Sequence, residues 1–162
     1  MADDDAERIL QLVRGIRPDD SNVYVQLASF YNRLGAFDKT IEALQQRATR
    51  EPDNPEAFYT ISVYYWDNAS RNFALTQPQK VENVRLGLEA VNRALQIRPD
   101  YVDAITYKGL LLRQQALLEP NYDNAQRLIK EAEGLSAQAE EIRLKRTAGA
   151  AAAAAAAPGA GA

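Results

Sequence analysis

The chain contains no cysteine and no histidine. Without thiols it forms no disulfide and offers no thiolate nucleophile. Without imidazole it has no zinc site built on Cys or His, and no His-based triad or general base. Carboxylates, lysine, tyrosine, serine and threonine are what remain for acid–base work, and neither a Gly-rich phosphate loop nor a nucleophile elbow is present. Tryptophan occurs once. No apolar run approaches the roughly 20 residues that a membrane-spanning helix needs. The acidic start, Met1-Ala-Asp-Asp-Asp-Ala-Glu, leads into no apolar stretch of the signal-peptide kind, so a cytoplasmic protein without membrane insertion is expected. Positive charge is not in excess: 19 Lys and Arg stand against 22 Asp and Glu, a net charge of −3. Nothing therefore draws the chain as a whole to a phosphate backbone, and nucleic acid is not an expected partner. The acidic pieces Asp3-Asp4-Asp5 and Asp19-Asp20 lack the spaced oxygen ligands and glycine of a calcium loop. They read as helix-start charge and caps, so neither a metal nor a cofactor is expected. Asn68-Ala69-Ser70 matches the glycosylation acceptor, but with no export signal it reads as a chance match.

What is present is the composition of an ordinary globule, 162 residues with 46% hydrophobic and 25% charged, and a beat. Pro18 and Pro52 lie 34 residues apart, and Pro99 follows after a further 47, the same interval with 13 residues added. Proline stops a helix because it lacks the N–H and clashes with the preceding turn. Each of the three is followed by residues that cap a new helix: Asp19-Asp20-Ser21-Asn22, Asp53-Asn54-Pro55 and Asp100-Tyr101. Within the first interval stand Tyr24-x2-Leu27-Ala28-x2-Tyr31, then Gly35, Phe37, Leu44 and Arg50-Glu51-Pro52-Asp53. A second copy reads Phe58-x2-Ile61-Ser62-x2-Tyr65 and closes at Arg98-Pro99-Asp100, and a third reads Ile105-x2-Lys108-Gly109-x2-Leu112. A fixed period of this size marks a repeat architecture.

The pattern resembles the tetratricopeptide repeat family, in which a bulky residue is followed by Leu-Gly, Tyr, Ala, an aromatic and a closing Pro. The resemblance covers about residues 4–146. It implies an all-α fold: a right-handed α-solenoid of about three helix-turn-helix repeats behind an N-terminal half-repeat helix, about seven helices in all. The spacing predicts a lone helix over 4–16, with Ala6, Leu10 and Val13 in its core face and Ile9 and Ile16 continuing the stripe. Helices over 21–34 and 38–50 turn at Gly35. A lengthened hairpin follows, with helices over 56–72 and 77–97, the added residues around 69–81, and Thr76-Gln-Pro78 starting its second arm. The third repeat turns at Glu119-Pro120-Asn121. The last helix is expected over 123–146, bent at Gly134, with Leu128, Ala132, Leu135, Ala139 and Ile142 as its stripe and half its length overhanging. The small residues Ala28, Ser62 and Gly109 let paired helices approach, and the bulky Tyr24, Phe58 and Ile105 fill the gap toward the next repeat. Thr40, Gly87, Arg47 and Lys108 depart from the family's pattern, Lys108 being the real misfit. Residues 1–146 form the expected domain, and 147–162 an Ala/Gly/Pro-rich low-complexity tail without structure of its own.

The resemblance further implies a non-catalytic protein-interaction module. Its concave groove, lined by the first helix of each repeat, would hold a protein or peptide segment. The groove positions fall on Asn22, Val25, Ser29, Asn32 and Arg33 in the first repeat. They fall on Glu56, Tyr59, Val63, Trp66 and Asp67 in the second, and on Asp103, Thr106, Leu110, Arg113 and Gln114 in the third. The clamp that some relatives use for a C-terminal carboxylate needs basic residues and Asn. Here its positions hold Val25, Ser29, Thr60, Asp103 and Tyr107, so that mode is not expected. Tyr59, Val63 and Trp66, spaced by four and three, form one stripe. Either they are aromatic anchors for a partner or the lengthened neighbouring hairpin covers them as extra core. A second reading makes the chain a structural or accessory subunit of a homo- or hetero-oligomer, docked through the long hairpin and the terminal helix.

Overall fold

In the computed structural model, residues 2–156 are described. Over them the chain folds into seven helices and no strand: α1 (Ala2–Ile16), α2 (Ser21–Arg33), α3 (Phe37–Arg50), α4 (Pro55–Arg71), α5 (Gln77–Ile97), α6 (Val102–Leu118) and α7 (Tyr122–Ala156). Each helix packs on the one before it, and α4 also packs on α6. The fold is thus an all-α solenoid of helical hairpins, α2–α3, α4–α5 and α6–α7, with α1 laid on α2.

Local chemistry explains the breaks. Asp20 caps α2 by accepting the N–H of Asn22 at 3.0 Å, and Asn54 caps α4 by accepting that of Glu56 at 3.0 Å. Gly35 turns α2 into α3 with φ +70°, a conformation that a side chain resists. The long hairpin turns where expected, and Gln79 Oε1 reaches back to the N–H of Thr76 at 2.9 Å. The third junction differs from expectation. Tyr101, not Asp100, is the residue before α6, and no side chain caps that helix. The Asp100 carboxylate is engaged elsewhere, by Arg146 Nη2 at 2.7 Å.

One arginine closes each junction. Arg50 Nε donates to the carbonyl of Pro18, with its guanidinium 4.1 Å from the Tyr24 ring centroid. Arg93 Nη2 donates to the carbonyl of Pro52 at 3.5 Å and lies 5.6 Å from the Phe58 ring. Arg146 Nη2 donates to the carbonyl of Asp100 at 2.9 Å. The bulky residue of each of the first two repeats therefore serves twice, as filler and as a face for a cation.

The core follows the repeat. Val23, Tyr24, Leu27, Ala28, Phe30 and Tyr31 of α2 pack with Ile41, Ala43, Leu44 and Ala48 of α3 and with Ala57, Ile61 and Tyr65 of α4. A second cluster joins Ala69, Val84, Val91 and Ala94 to Ala104 and Leu111, and a third joins Val102 and Ile105 to Ala139. Ser62 is fully buried and donates to the carbonyl of Tyr59 at 2.7 Å, which satisfies its hydroxyl where the helices meet closely. A methyl at Gly87 would stand 2.8 Å from Leu111 Cδ2 and 3.2 Å from Tyr65 Cβ, so α5 approaches α4 and α6 closely only because that position is bare. Arg47, a departure from the family's alanine, is mostly covered and paired with Glu51 at 3.1 Å. Lys108 is half-buried.

Two expectations change. Ala6, Leu10 and Val13 do pack on the first core cluster, but Ile9 (60% exposed) and Ile16 (78% exposed) do not. The reason is that α1 packs along α2 and reaches α3 through the Glu7–Lys39 pair, so only one narrow face of it is covered. The last helix passes through Gly134 as one element and continues ten residues beyond Arg146 to Ala156. Alanine is the best helix former, and the packed part of α7 supplies the nucleus that an isolated tract lacks. Residues 147–152 are exposed. The rest of the tail, 157–162, lies outside the described residues.

Candidate protein-binding face

The groove positions do not behave alike. On α2, Asn22, Ser29 and Arg33 are exposed, and the Arg33 guanidinium lies 5.6 Å from the Phe30 ring. On α6, Thr106 and Arg113 lean toward α7: Arg143 donates to Thr106 Oγ1 at 3.4 Å, and Arg113 donates to Ser136 Oγ at 3.2 Å. Leu110 is half-buried. On α4, Asp67 pairs with Arg71 one turn on, at 3.0 Å.

Tyr59 and Trp66 come together through a residue of the facing helix. Tyr107 of α6 stands edge-on to both, with ring centroids 5.4 Å from Tyr59 and 5.6 Å from Trp66, and Tyr101 closes the row 5.1 Å from Tyr59. All four rings are half-buried, and Val63, between Tyr59 and Trp66 on α4, is half-buried too. Tyr59, Trp66 and Tyr101 pack on the second core cluster. The stripe is therefore core on one side and surface on the other, so the two readings of it are not exclusive.

Carboxylates stand beside the tyrosines of this face. The Tyr59 hydroxyl is pushed up to about 12, first by burial and then by its neighbours Tyr107, Asp103, Tyr101 and Glu56. Tyr101 is raised as well, by burial and then by Glu56. Glu56 precedes Tyr59 by one turn of α4 and Asp103 precedes Tyr107 by one turn of α6, so each carboxylate shares a helix face with a ring. From the sequence, Tyr107 stood only at a failed clamp position and Tyr101 only in the capping pair Asp100-Tyr101. The four-residue spacing of Asp103 and Tyr107 was the available signal.

Two of the clefts elsewhere bear on function. The larger, about 710 Å³, opens between α3 and α5, over a floor of Phe58, Ile61 and Tyr65 from α4. Its rim carries Gln45 and Thr49 on one side and Asn92 and Gln96 on the other. The smaller, about 180 Å³, gathers a carboxylate, a phenol and an ammonium. There Glu7 Oε1 accepts from Tyr31 at 2.9 Å and from Lys39 Nζ at 3.0 Å, while Gln11 donates to the Tyr31 oxygen at 2.7 Å. Bonds from Lys39 and Tyr31 lower the Glu7 carboxyl, burial and Glu7 raise the Tyr31 phenol, and Glu7 raises Lys39. Each group is driven further from titrating near neutral pH, the reverse of what a general acid or base needs. The cluster clasps α1 to α2 and α3. Nothing in the sequence signals it, since Glu7 meets partners 24 and 32 residues away. Among the described residues no group of three or more carboxylates gathers where a metal could be held, and no helix is long and apolar enough to cross a membrane.

No protein-family model matches the chain, and no curated protein matches it. Among solved structures it is similar to the crystal structure of MamA, at 16% identity and a TM-score of 0.36 over 86% of this chain and 91% of that one. A likeness at that level carries no argument about function or arrangement.

Proposed function

We propose that the protein is a non-catalytic interaction module whose first-helix face, centred on α4 and α6, binds a segment of a protein partner, and that residues 1–146 are the working domain. The observation that carries this is the row of four half-buried rings, Tyr101, Tyr59, Tyr107 and Trp66. Rigid aromatic side chains held on packed helices present large apolar area with little rotamer entropy left to lose, which is how interface anchors work. The exposed Asn22, Ser29 and Arg33, with Asp67, Thr106 and Arg113 around the row, would supply the polar rim, and Leu110 an apolar contact. The chemistry of the smaller cleft favours a structural role for it and gives no support to catalysis.

The test is capture of a partner from native extract by the wild type and by a Tyr59→Ala/Trp66→Ala variant shown by circular dichroism to be folded. Loss of the partner in the variant is expected. Equal capture by the folded variant would sink the reading.

A second reading has its own observation. Phe73, at the tip of the long hairpin, is 90% exposed, and Leu117 and Tyr122 are exposed at the turn of the next hairpin. Exposed apolar tips suit docking into an assembly. If copies of the chain meet there, light scattering will show a mass that rises with concentration and returns to that of one chain in Phe73→Asp. A constant single-chain mass removes self-assembly.

A further inference from the structure

We infer that the aromatic face between α4 and α6 takes the guanidinium of an arginine side chain carried by the partner segment. This rests on the reading above that the face binds a protein segment, and it adds the chemistry of the residue recognised. The rings of Tyr101, Tyr59, Tyr107 and Trp66 form an unbroken row with centroid separations of 5.1, 5.4 and 5.6 Å, and each ring keeps part of its surface open. Aromatic faces attract cations through the ring quadrupole, and arginine most often fills that role in proteins.

Charge complementarity selects the occupant. Glu56 and Asp103 flank the row, both exposed, and among the described residues neither takes part in an ion pair. The other carboxylate of this face, Asp67, is already held by Arg71, and the nearby cations Arg33 and Arg113 are turned to Phe30 and Ser136. Two negative charges outside any ion pair therefore remain beside the rings, with Arg98 at the Tyr101 end of the row. An acidic segment would be repelled there, and a purely apolar one would leave both carboxylates facing it without a partner. The raised Tyr59 hydroxyl, to which Asp103 and Glu56 both contribute, is consistent with a negative field at the row. The row already shows its taste for this group, since the Arg98 guanidinium sits 3.6 Å from the Tyr101 centroid.

The full chain provides its own reporter, because Trp66 is the single tryptophan. The probes are two capped pentapeptides, acetyl-Ala-Ala-Arg-Ala-Ala-amide and the same peptide with citrulline, a neutral near-isostere, in place of arginine. The arginine peptide should give a saturable change in Trp66 fluorescence that weakens as salt rises. The citrulline peptide should bind about tenfold more weakly or worse, and Glu56→Gln/Asp103→Asn should weaken arginine binding by a similar factor. Both substituted side chains are exposed, so this variant should keep the fold. Equal binding of the two peptides, no saturable response to the arginine peptide, or unchanged binding by the double variant would each overturn the inference. Capture from native extract with the same variant separates the two readings. A partner that needs Tyr59 and Trp66 but ignores the two carboxylates removes the arginine site and leaves the binding face. A partner indifferent to Tyr59 and Trp66 removes the binding face itself.

Discussion

Tyr107 stands at 85° to the ring of Tyr59, their centroids 5.4 Å apart, and by this contact α6 completes a surface that α4 only begins. Edge-to-face pairs of this kind contribute about 0.5–1.5 kcal/mol beyond their burial. Tyr107→Leu keeps apolar bulk but removes the edge that both Tyr59 and Trp66 meet. A folded protein with a shifted Trp66 emission maximum and a slightly lower unfolding temperature is expected. An unchanged emission spectrum would contradict the packing described.

The alkaline limit of stability should report Tyr59. Its folded value, about 12, lies above the ordinary phenol value of 10.0, so the fold favours the neutral ring. That stability is fully present below pH 10 and is lost as pH rises through 10 toward 12. Denaturant midpoints measured across this window should fall less steeply in Tyr59→Phe than in the wild type.

Glu51 sets an acid limit at the first repeat junction. Hydrogen bonds from Ser21 and Asn54, with Arg47 beside it, hold its carboxyl below the ordinary value of 4.5. A lowered acid contributes stability that is present above pH 4.5 and lost as pH falls through the folded value. Glu51→Gln should be less stable than the wild type at neutral pH, and the difference should shrink below pH 4.5. Parallel stability curves would show that the junction does not depend on the charge.

Gly87→Ala replaces a hydrogen with a methyl 2.8 Å from Leu111 Cδ2 and 3.2 Å from Tyr65 Cβ. Alanine is the better helix former by about 1 kcal/mol, but overpacking a fitted core costs about 1–3 kcal/mol. The tertiary term should win, and thermal melts should show a lower midpoint. A higher midpoint would mean that Leu111 yields freely.

Removing residues 147–162 should leave the unfolding midpoint unchanged, because residues 147–152 are exposed and their one side-chain bond, Thr147 to the Arg143 carbonyl, is local. Hydrogen exchange should find the amides beyond Arg146 fast and those near Ala139 slow. A large loss on truncation would show that this stretch packs on something.

Much of the scaffold was legible because its signals are local. Prolines at a fixed interval, Asp20 and Asn54 as caps, and Gly35 at positive φ act over a few residues, so helix boundaries could be placed within a residue or two up to Ile97. The end of α7 was misplaced because the tract was read by its composition, while its helix is nucleated by packed residues upstream. Ile9 and Ile16 were misplaced for a different reason: periodicity shows that a face is apolar, not whether a second helix arrives to cover it.

That the chain is a run of helical hairpins, and which residues form their close contacts, was written in the sequence, since both follow from backbone conformation and side-chain size at a repeating interval. Which groove positions meet was settled by the packing of one hairpin on the next. It left Asn22, Ser29 and Arg33 exposed on α2, turned Thr106 and Arg113 toward α7, and set Tyr107 between Tyr59 and Trp66. Those outcomes depend on how far one hairpin is displaced against the next. That displacement is fixed by the summed packing of many side chains, among them the bare Gly87, and no single interval in the sequence encodes it.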